Sequence, residues 1–256
     1  MSPAPRLRCT AAGLTDPGPA RSTNEDAFLD RAELGLWAVA DGLGGHADGA
    51  LASRMVVEDL DRIQPTGDPR SLLAAVEASL AATHNRLLAR ARAAELSAST
   101  VVVLLVAERH WAMLWAGDSR GYRLRDAKLE QLTHDHSHVQ ELVDRGLLAP
   151  ADARAHPYAN RITRAIGVGE TLSLDTATGD AEPGDVFLLC TDGLSGVVEE
   201  AAMAAELRHP PADATARLLA LALAAGSTDN ITAVVIALDA ADQPTLRPQR
   251  RPGGER

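Results

Sequence analysis

Apolar positions along the chain recur at two different spacings, arranged in blocks. Short runs at Ala27–Asp30 and Leu36–Ala40 have the dense apolar character of buried strands. Ala50–Ile63 then places Leu51, Met55, Val56, Leu60 and Ile63 at helical spacing, and Arg70–Glu95 repeats Leu72, Val76, Leu80 and Leu87 one or two turns apart. A Pro65-Thr66-Gly67-Asp68-Pro69 break separates these two helices. Both are Ala-rich and amphipathic, so each is expected to lie on a sheet with one face in water.

Strand character returns at Thr100–Ala107 and Trp111–Ala116, which read as a hairpin across Glu108-Arg109-His110. A turn at Gly117–Gly121 leads into Tyr122–Arg125 and Lys128–Leu132, extending the hairpin to a meander of four strands. Residues 134–169 lose this rhythm. They contain a short helix around His138–Asp144 and two prolines, and read as a surface excursion with a function of its own. Beyond it, Asp185–Cys190 is a buried strand, Glu199–Leu207 and Asp213–Ala225 are helices with Asp213 as the cap of the second, and Ile231–Leu238 is the last strand. Strands and helices in blocks, without strict alternation, make an α+β pattern. Residues 1–8 read as a flexible lead and 240–256 as a disordered Pro- and Arg-containing tail, which leaves one domain at 9–239.

Composition narrows the function more than the fold. Of 256 residues, 46% are hydrophobic and 23% charged, ordinary for a globular protein. The net charge of -10 argues against nucleic acid as a partner, because phosphate backbones call for clustered cations. No apolar run approaches the ~18 residues of a membrane span, and MSPAPRLRCT has no apolar core of the signal-peptide type. The chain therefore reads as cytoplasmic, and its 2 cysteines suit a reducing compartment.

The chemistry gathers at strand ends. Asp41 and Gly42 follow the run Leu36–Ala40 within the glycine-rich stretch AVADGLGGHADG. Asp118, Asp192 and Asp229 each stand at the edge of another apolar run beside a small residue, and Glu25-Asp26 precede a strand. Any one of these could be turn chemistry. Together they point to a site, since carboxylates brought together repel unless cations neutralise them. An all-oxygen set without cysteine favours hard cations such as Mg²⁺ or Mn²⁺. Two such ions about 3.5–4 Å apart can activate a water for attack on phosphorus.

The motifs RSTNED at Arg21–Asp26, VADGLGGHADG at Val39–Gly49, GDSR at Gly117–Arg120, HDHS at His134–Ser137, TRAIG at Thr163–Gly167, CTDGL at Cys190–Leu194 and STDNITAVVI at Ser227–Ile236 follow in order along the chain. In this set the chain resembles the bacterial form of the metal-dependent protein phosphatases of type 2C. The resemblance implies a four-layer sandwich of two packed antiparallel β-sheets flanked by helices, with a binuclear Mn²⁺ or Mg²⁺ centre at one end. It implies that Asp41 bridges the two metals and that the Gly42 carbonyl is a ligand. Asp192 and Asp229 then serve the first metal, Glu25 lies on the side of the second, and Asp26 holds metal-bound water. Asp118, with Asp192, recruits a third, weaker ion. Arg21 matches the arginine that clamps the substrate phosphate, a role suited to its bidentate fork. Asn230 matches a residue that orients Asp229, and residues 138–166 match a substrate-selecting flap. His46 remains open between a general acid and a structural residue.

The implied substrates are phosphoserine and phosphothreonine proteins, with an opposing serine/threonine kinase. Two other readings stand beside this one: a regulator phosphatase that switches one specific partner, and a catalytically silent scaffold for phosphoproteins. Bland readings cover the remaining features. His134, His136 and His138 alternate without the further ligands that zinc needs. Cys190 lacks the arginine of a cysteine phosphatase loop, since Gly196 stands at that position, and reads as core. Trp111, Met113 and Trp115 read as one packed face of a strand.

Overall fold

A computed structural model describes residues 7–44, 47–91 and 97–241. Two antiparallel sheets lie face to face. One contains β1 (Leu7–Asp16), β7 (Arg120–Arg125), β8 (Lys128–Gln131), β10 (Val186–Cys190) and β11 (Ile231–Ala240), in the order β1-β11-β10-β7-β8. The other contains β2 (Asp26–Arg31), β3 (Leu36–Gly44), β5 (Val101–Ala107), β6 (His110–Ala116) and β9 (Asp175–Asp180), in the order β2-β3-β5-β6-β9, with β4 (Ser97–Ser99) paired to the end of β3.

Alternation along the strands sorts side chains into three apolar layers. Between the sheets, Trp37, Val39, Val102, Leu104 and Met113 meet Phe187, Leu189, Val234 and Ile236. Trp111, Met113 and Trp115 all join this layer, so the alternating aromatic pattern is indeed a packed face. The opposite face of β3 and β5 packs against α1 (Ala47–Asp61) and α2 (Pro69–Ala91) through Val56, Leu60, Val76 and Leu80. On the outer face of the other sheet, Tyr122, Leu188 and Cys190 meet Met203 of α5 (Glu200–Glu206) and Leu218 of α6 (Pro211–Ala224). Each fully buried Leu or Val on these faces contributes about 1.5–3 kcal/mol of hydrophobic stabilisation. The α+β sandwich is the expected one, and Cys190 is core, its thiol pushed up to about 12 by burial.

Several expectations are corrected. The meander of four strands does not form, because the chain changes sheets between β6 and β7 at Gly117–Ser119. β1 and β9 have no strong apolar rhythm, and both lie at sheet edges where few large side chains are needed. Leu7 and Arg8, expected in the flexible lead, are strand residues paired with Ala240 and Asp239. Asp213 does not cap α6, which begins at Pro211 with its fixed φ after Pro210. α2 is described as far as Ala91, and its expected continuation to Glu95 falls on residues 92–96, which, like 1–6 and the tail from 242, lie outside the described residues.

Strand direction alone gathers the site. Asp26 opens β2 and is the cross-strand partner of Asp41 in β3. In the facing sheet, antiparallel pairing brings the end of β10, the start of β7 and the start of β11 to one edge, since Cys190 pairs with both Arg120 and Ala233. Asp192 follows that end, and Asp118 and Asp229 precede those starts.

Candidate active site

Asp41 does not stand in a loop. β3 runs on through Asp41 and Gly42 to Gly44, so the ladder rather than a turn sets its position. Thr100 grips its backbone on both sides: the Asp41 N–H donates to Thr100 Oγ1 at 3.0 Å, and the Thr100 N–H donates to the Asp41 carbonyl at 2.8 Å. Ser99 Oγ adds a third bond to that carbonyl at 3.1 Å. Thr100 Oγ1 also meets Ser119 Oγ at 2.7 Å, which ties the Asp41 strand to the corner that carries Asp118.

Gly42 donates its N–H to the Glu25 carbonyl at 3.1 Å. A Cβ there would strike the Gly49 carbonyl and lie 2.8 Å from the Glu25 carbonyl, so the first turn of α1 approaches β3 only because Gly42 has no side chain. At Gly49 a Cβ would fall on the Glu25 carboxylate. Glu25 is further held by its N–H, which donates to Asn230 Oδ1 at 2.8 Å.

Asn230 thereby has a wider role than orienting Asp229. Its own N–H does reach Asp229 Oδ1 at 2.8 Å, but its amide also donates to the carbonyls of Pro17 (2.8 Å) and Thr23 (3.1 Å), stapling the segment before β2 to the start of β11. Asp26 is buried, and its Oδ2 accepts from Thr232 Oγ1 at 2.6 Å and Thr191 Oγ1 at 2.9 Å. Neither threonine stood out in the sequence, since a hydroxyl on a buried strand looks like an ordinary β-former. Arg120 of GDSR grips Asp135 of HDHS through Nε and Nη2 at 2.7–3.0 Å, so two of the recurring motifs are halves of one bidentate ion pair.

Electrostatically the site is loaded with negative charge. Burial first, then Asp192 and Asp229, push the Asp26 carboxyl up to about 7 against the pull of its two threonine donors. Burial, Asp192 and Asp135 push Asp118 up to about 8. Asp192, at the start of α4 (Asp192–Ser195), is pushed up to about 6 by burial and Asp229, with hydrogen bonding to Asp41 and Gly193 opposing. Asp41 is raised well above the ordinary carboxylate range by burial and then by Asp26, Asp192, Asp118 and Asp229. Oδ1 of Asp26, Asp118 and Asp192 is buried without a hydrogen-bond partner among the described residues. Such oxygens are costly unless something positive meets them.

These residues fit divalent cations by donor type and charge: all-oxygen, multiply acidic and short of hydrogen-bond donors. Among the described residues, no group of three His, Cys, Asp or Glu side chains is already gathered as a cage. Asp229 is instead paired with Arg21, whose Nη2 lies 2.7 Å from Asp229 Oδ2 at the exposed mouth of the site.

A cleft of about 150 Å³ opens beside Asp118 and Asp192, walled on its far side by Gln140, Arg154 and Asn160 of the 138–166 excursion. Arg154 is anchored there to Glu199 at 2.7 Å and to the Ser195 carbonyl at 3.1 Å. The three alternating histidines disperse: His134 pairs with Asp144, His136 with Asp175, and His138 packs edge-on against Tyr158. They share no ligand site. His46 lies outside the described residues.

With this geometry in hand, comparison with known proteins decides the family. The sequence pattern of protein phosphatase 2C matches residues 20–220. The chain belongs to the protein phosphatase 2C family. It is 38% identical over 231 residues to the serine/threonine protein phosphatase PstP of Mycobacterium tuberculosis, covering 88% of this chain and 44% of that protein. The chain thus spans less than half the length of that relative. Among solved structures it is similar to PppA, a key regulatory component of T6SS in Pseudomonas aeruginosa, with a TM-score of 0.84 and 40% identity over 90% of this chain and 97% of that one. It is also similar to the catalytic domain of PstP in complex with two manganese ions, with a TM-score of 0.80 and 36% identity over 91% and 99% of the two chains. The fold is therefore that of the metal-dependent serine/threonine phosphatases of the 2C family. Among the described residues no helix is long and apolar enough to cross a membrane.

Proposed function

We propose that this chain removes phosphate from phosphoserine and phosphothreonine in protein substrates, using two Mn²⁺ or Mg²⁺ ions and a third, weaker ion beside Asp118. The observation that carries the reading is the convergence of Asp26, Asp41, Asp118 and Asp192 at one end of the sandwich, where Oδ1 of Asp26, Asp118 and Asp192 is buried without a hydrogen-bond partner among the described residues. Asp41, the Gly42 carbonyl, Asp192, Asp229 and Glu25 would hold the two main ions, with Asp26 holding water next to them. When bound, these ions supply a water nucleophile for phosphorus and neutralise charge growing on the phosphoryl oxygens.

The residues of the chain set the geometry. Thr100 and Ser99 keep the Asp41 backbone fixed from both sides, so its carboxylate is aimed without reorganisation. Arg21 uses one Nη on Asp229, and its other N–H donors, without a protein hydrogen-bond partner among the described residues, would take two phosphate oxygens at the mouth. Residues of the substrate flanking the phosphorylated side chain would rest against Gln140 and Asn160 across the cleft. His46 remains the candidate proton donor to the leaving oxygen. A cytoplasmic location suits the two free cysteines, Cys9 and Cys190, and the working partner would be an opposing serine/threonine kinase.

A phosphopeptide panel tests this reading. Phosphate release from several phosphoserine and phosphothreonine peptides with Mn²⁺, and none with chelator, is expected. Turnover confined to one protein would indicate a partner-switching regulator, and binding without turnover a scaffold.

A further inference from the structure

The 138–166 excursion is rooted in the body of the fold at two places, and each root ends on a buried histidine. At the first, the Gly117 N–H donates to Nδ1 of His136 at 3.2 Å, and the His136 N–H donates back to the Gly117 carbonyl at 2.9 Å. At the second, the Gly167 N–H donates to Nδ1 of His84, on α2, at 3.0 Å. Both glycines have positive φ, 116° at Gly117 and 91° at Gly167, and both are closely covered: a Cβ would lie 2.6 Å from Thr100 Cβ at the first and 2.8 Å from the Ser97 carbonyl at the second. The two histidines are 5% and 1% exposed.

An Nδ1 that accepts an N–H carries no proton, so each neutral ring bears its proton on Nε2. In His136 that proton points to Asp175 Oδ2 at 3.2 Å, and the ring is stacked on Trp115. In His84, Nε2 is buried without a partner among the described residues, and burial lowers its pKa, which favours the neutral acceptor form. An unpartnered buried nitrogen is a cost that packing alone would remove with an apolar side chain at this place.

Each root also abuts a segment that carries an active-site carboxylate. Gly117 immediately precedes Asp118. Next to Gly167, Ile166 exchanges two backbone hydrogen bonds with Ser99, at 3.0 and 2.8 Å, and Ser99 in turn bonds the Asp41 carbonyl. The wall of the cleft and the carboxylates are thus referenced to the same two anchor points.

We propose that His84 and His136 are paired positioning residues that fix the two roots of the 138–166 flap by accepting a glycine N–H, and so set the width of the substrate cleft against Asp118 and Asp41. Neither histidine touches substrate. The proposal rests on the phosphatase reading for its consequence, because the flap matters to a phosphopeptide and much less to a small aryl phosphate.

His84 is the cleaner test, being remote from the carboxylates. Asn at this position carries its amide oxygen where Nδ1 sits, Gln carries it nearer Nε2, and Leu carries none. In His84→Leu, KM for a phosphopeptide should rise at least fivefold more than KM for p-nitrophenyl phosphate, and exchange of the Gly167 amide with solvent should quicken at least tenfold. His84→Asn should restore both readouts most of the way to wild type. Parallel changes on both substrates, or an unaltered Gly167 exchange rate, would overturn the proposal. If His84→Leu does not fold, the comparison of His84→Asn with His84→Gln decides, and identical behaviour of the two overturns it. Should the wild-type chain hydrolyse neither substrate, the phosphatase reading fails, while Gly167 exchange still decides whether His84 is the latch.

Discussion

Asp26 and Asp41 are direct cross-strand partners, two carboxylates on facing positions of the β2–β3 ladder at the end of the sandwich. Like charges opposite one another in a sheet are destabilising, and here burial adds to the cost. Metal-free protein is therefore expected to lose stability as pH rises. The native carboxyls titrate at about 7 for Asp26, about 8 for Asp118 and about 6 for Asp192, against an ordinary value of 3.8. Between these limits the native state holds protons that the unfolded chain has released, so the stability they confer is complete at the acid end and falls through the native pKa values. Thermal unfolding in chelator should give a melting temperature that falls between pH 5 and pH 8, and Mn²⁺ should raise it more at pH 8 than at pH 5. A melting temperature that rises across this range in chelator would contradict the account.

Thr232 supplies the shorter of the two hydroxyl donors to Asp26, and stands at the end of a relay in which Asn24 bonds Thr15 and Thr15 meets Thr232. Thr232→Val keeps the volume and removes the relay. A hydrogen bond to a charged group contributes about 1.5–3 kcal/mol, and urea unfolding at pH 8 with Mn²⁺ present should show a loss in that range. The Mn²⁺ concentration needed for half-maximal stabilisation should rise in parallel.

Gly42→Ala places a methyl group against backbone carbonyls of Gly49 and Glu25, neither of which can rotate away. Overpacking of this kind costs about 1–3 kcal/mol. Because the carbonyls of Gly49, in α1, and Glu25, just before β2, both meet that one methyl position, the strain should also shift α1 and the Glu25 segment away from β3. Calorimetric titration should show weakened Mn²⁺ binding even where the variant remains folded.

Arg120→Lys tests whether the ion pair linking GDSR to HDHS depends on the guanidinium fork. Lysine cannot reproduce the paired contacts to Asp135 together with the 3.2 Å bond to the Tyr122 hydroxyl. Stability should fall by about 1–3 kcal/mol, with a larger effect on phosphopeptide KM than Lys128→Ala, a change on the exposed edge of β8. Equal effects of the two substitutions would show that the pair is incidental to the cleft.

How far the sequence reached can be traced residue by residue. Val101–Ala107 and Trp111–Ala116 were legible because buried strands need continuous apolar side chains, and α2 because Leu72, Val76 and Leu80 return on one face. The edge strands β1 and β9 were not, since Leu7–Asp16 and Asp175–Asp180 are held by backbone pairing and small residues rather than by bulk. The change of sheet at Gly117 was hidden too: a tight turn reads the same whether the next strand pairs with the last one or with the opposite sheet. In the site, the acidic residues announced themselves through their placement beside apolar runs. Thr191, Thr232 and Thr100, which hold them, did not, and Asn230 only as a partner of Asp229, because a hydrogen bond between residues 165–206 apart, such as those of Thr191 and Thr232 to Asp26, leaves no local pattern. The pairing of Arg21 with Asp229, across 208 residues, is of the same kind.

The central claim is that Asp41 sits at the heart of a metal-dependent phosphatase site. The most direct test is phosphate release from a phosphothreonine peptide with saturating Mn²⁺, for wild type and Asp41→Ala at equal folded concentration. Several kcal/mol of transition-state stabilisation pass through this group, at a factor of ten for each ~1.4 kcal/mol, so the variant should lose about a thousandfold or more in kcat/KM. The account predicts a wild-type rate that chelator abolishes and an Asp41→Ala rate near background. Wild-type-like turnover by folded Asp41→Ala would contradict it.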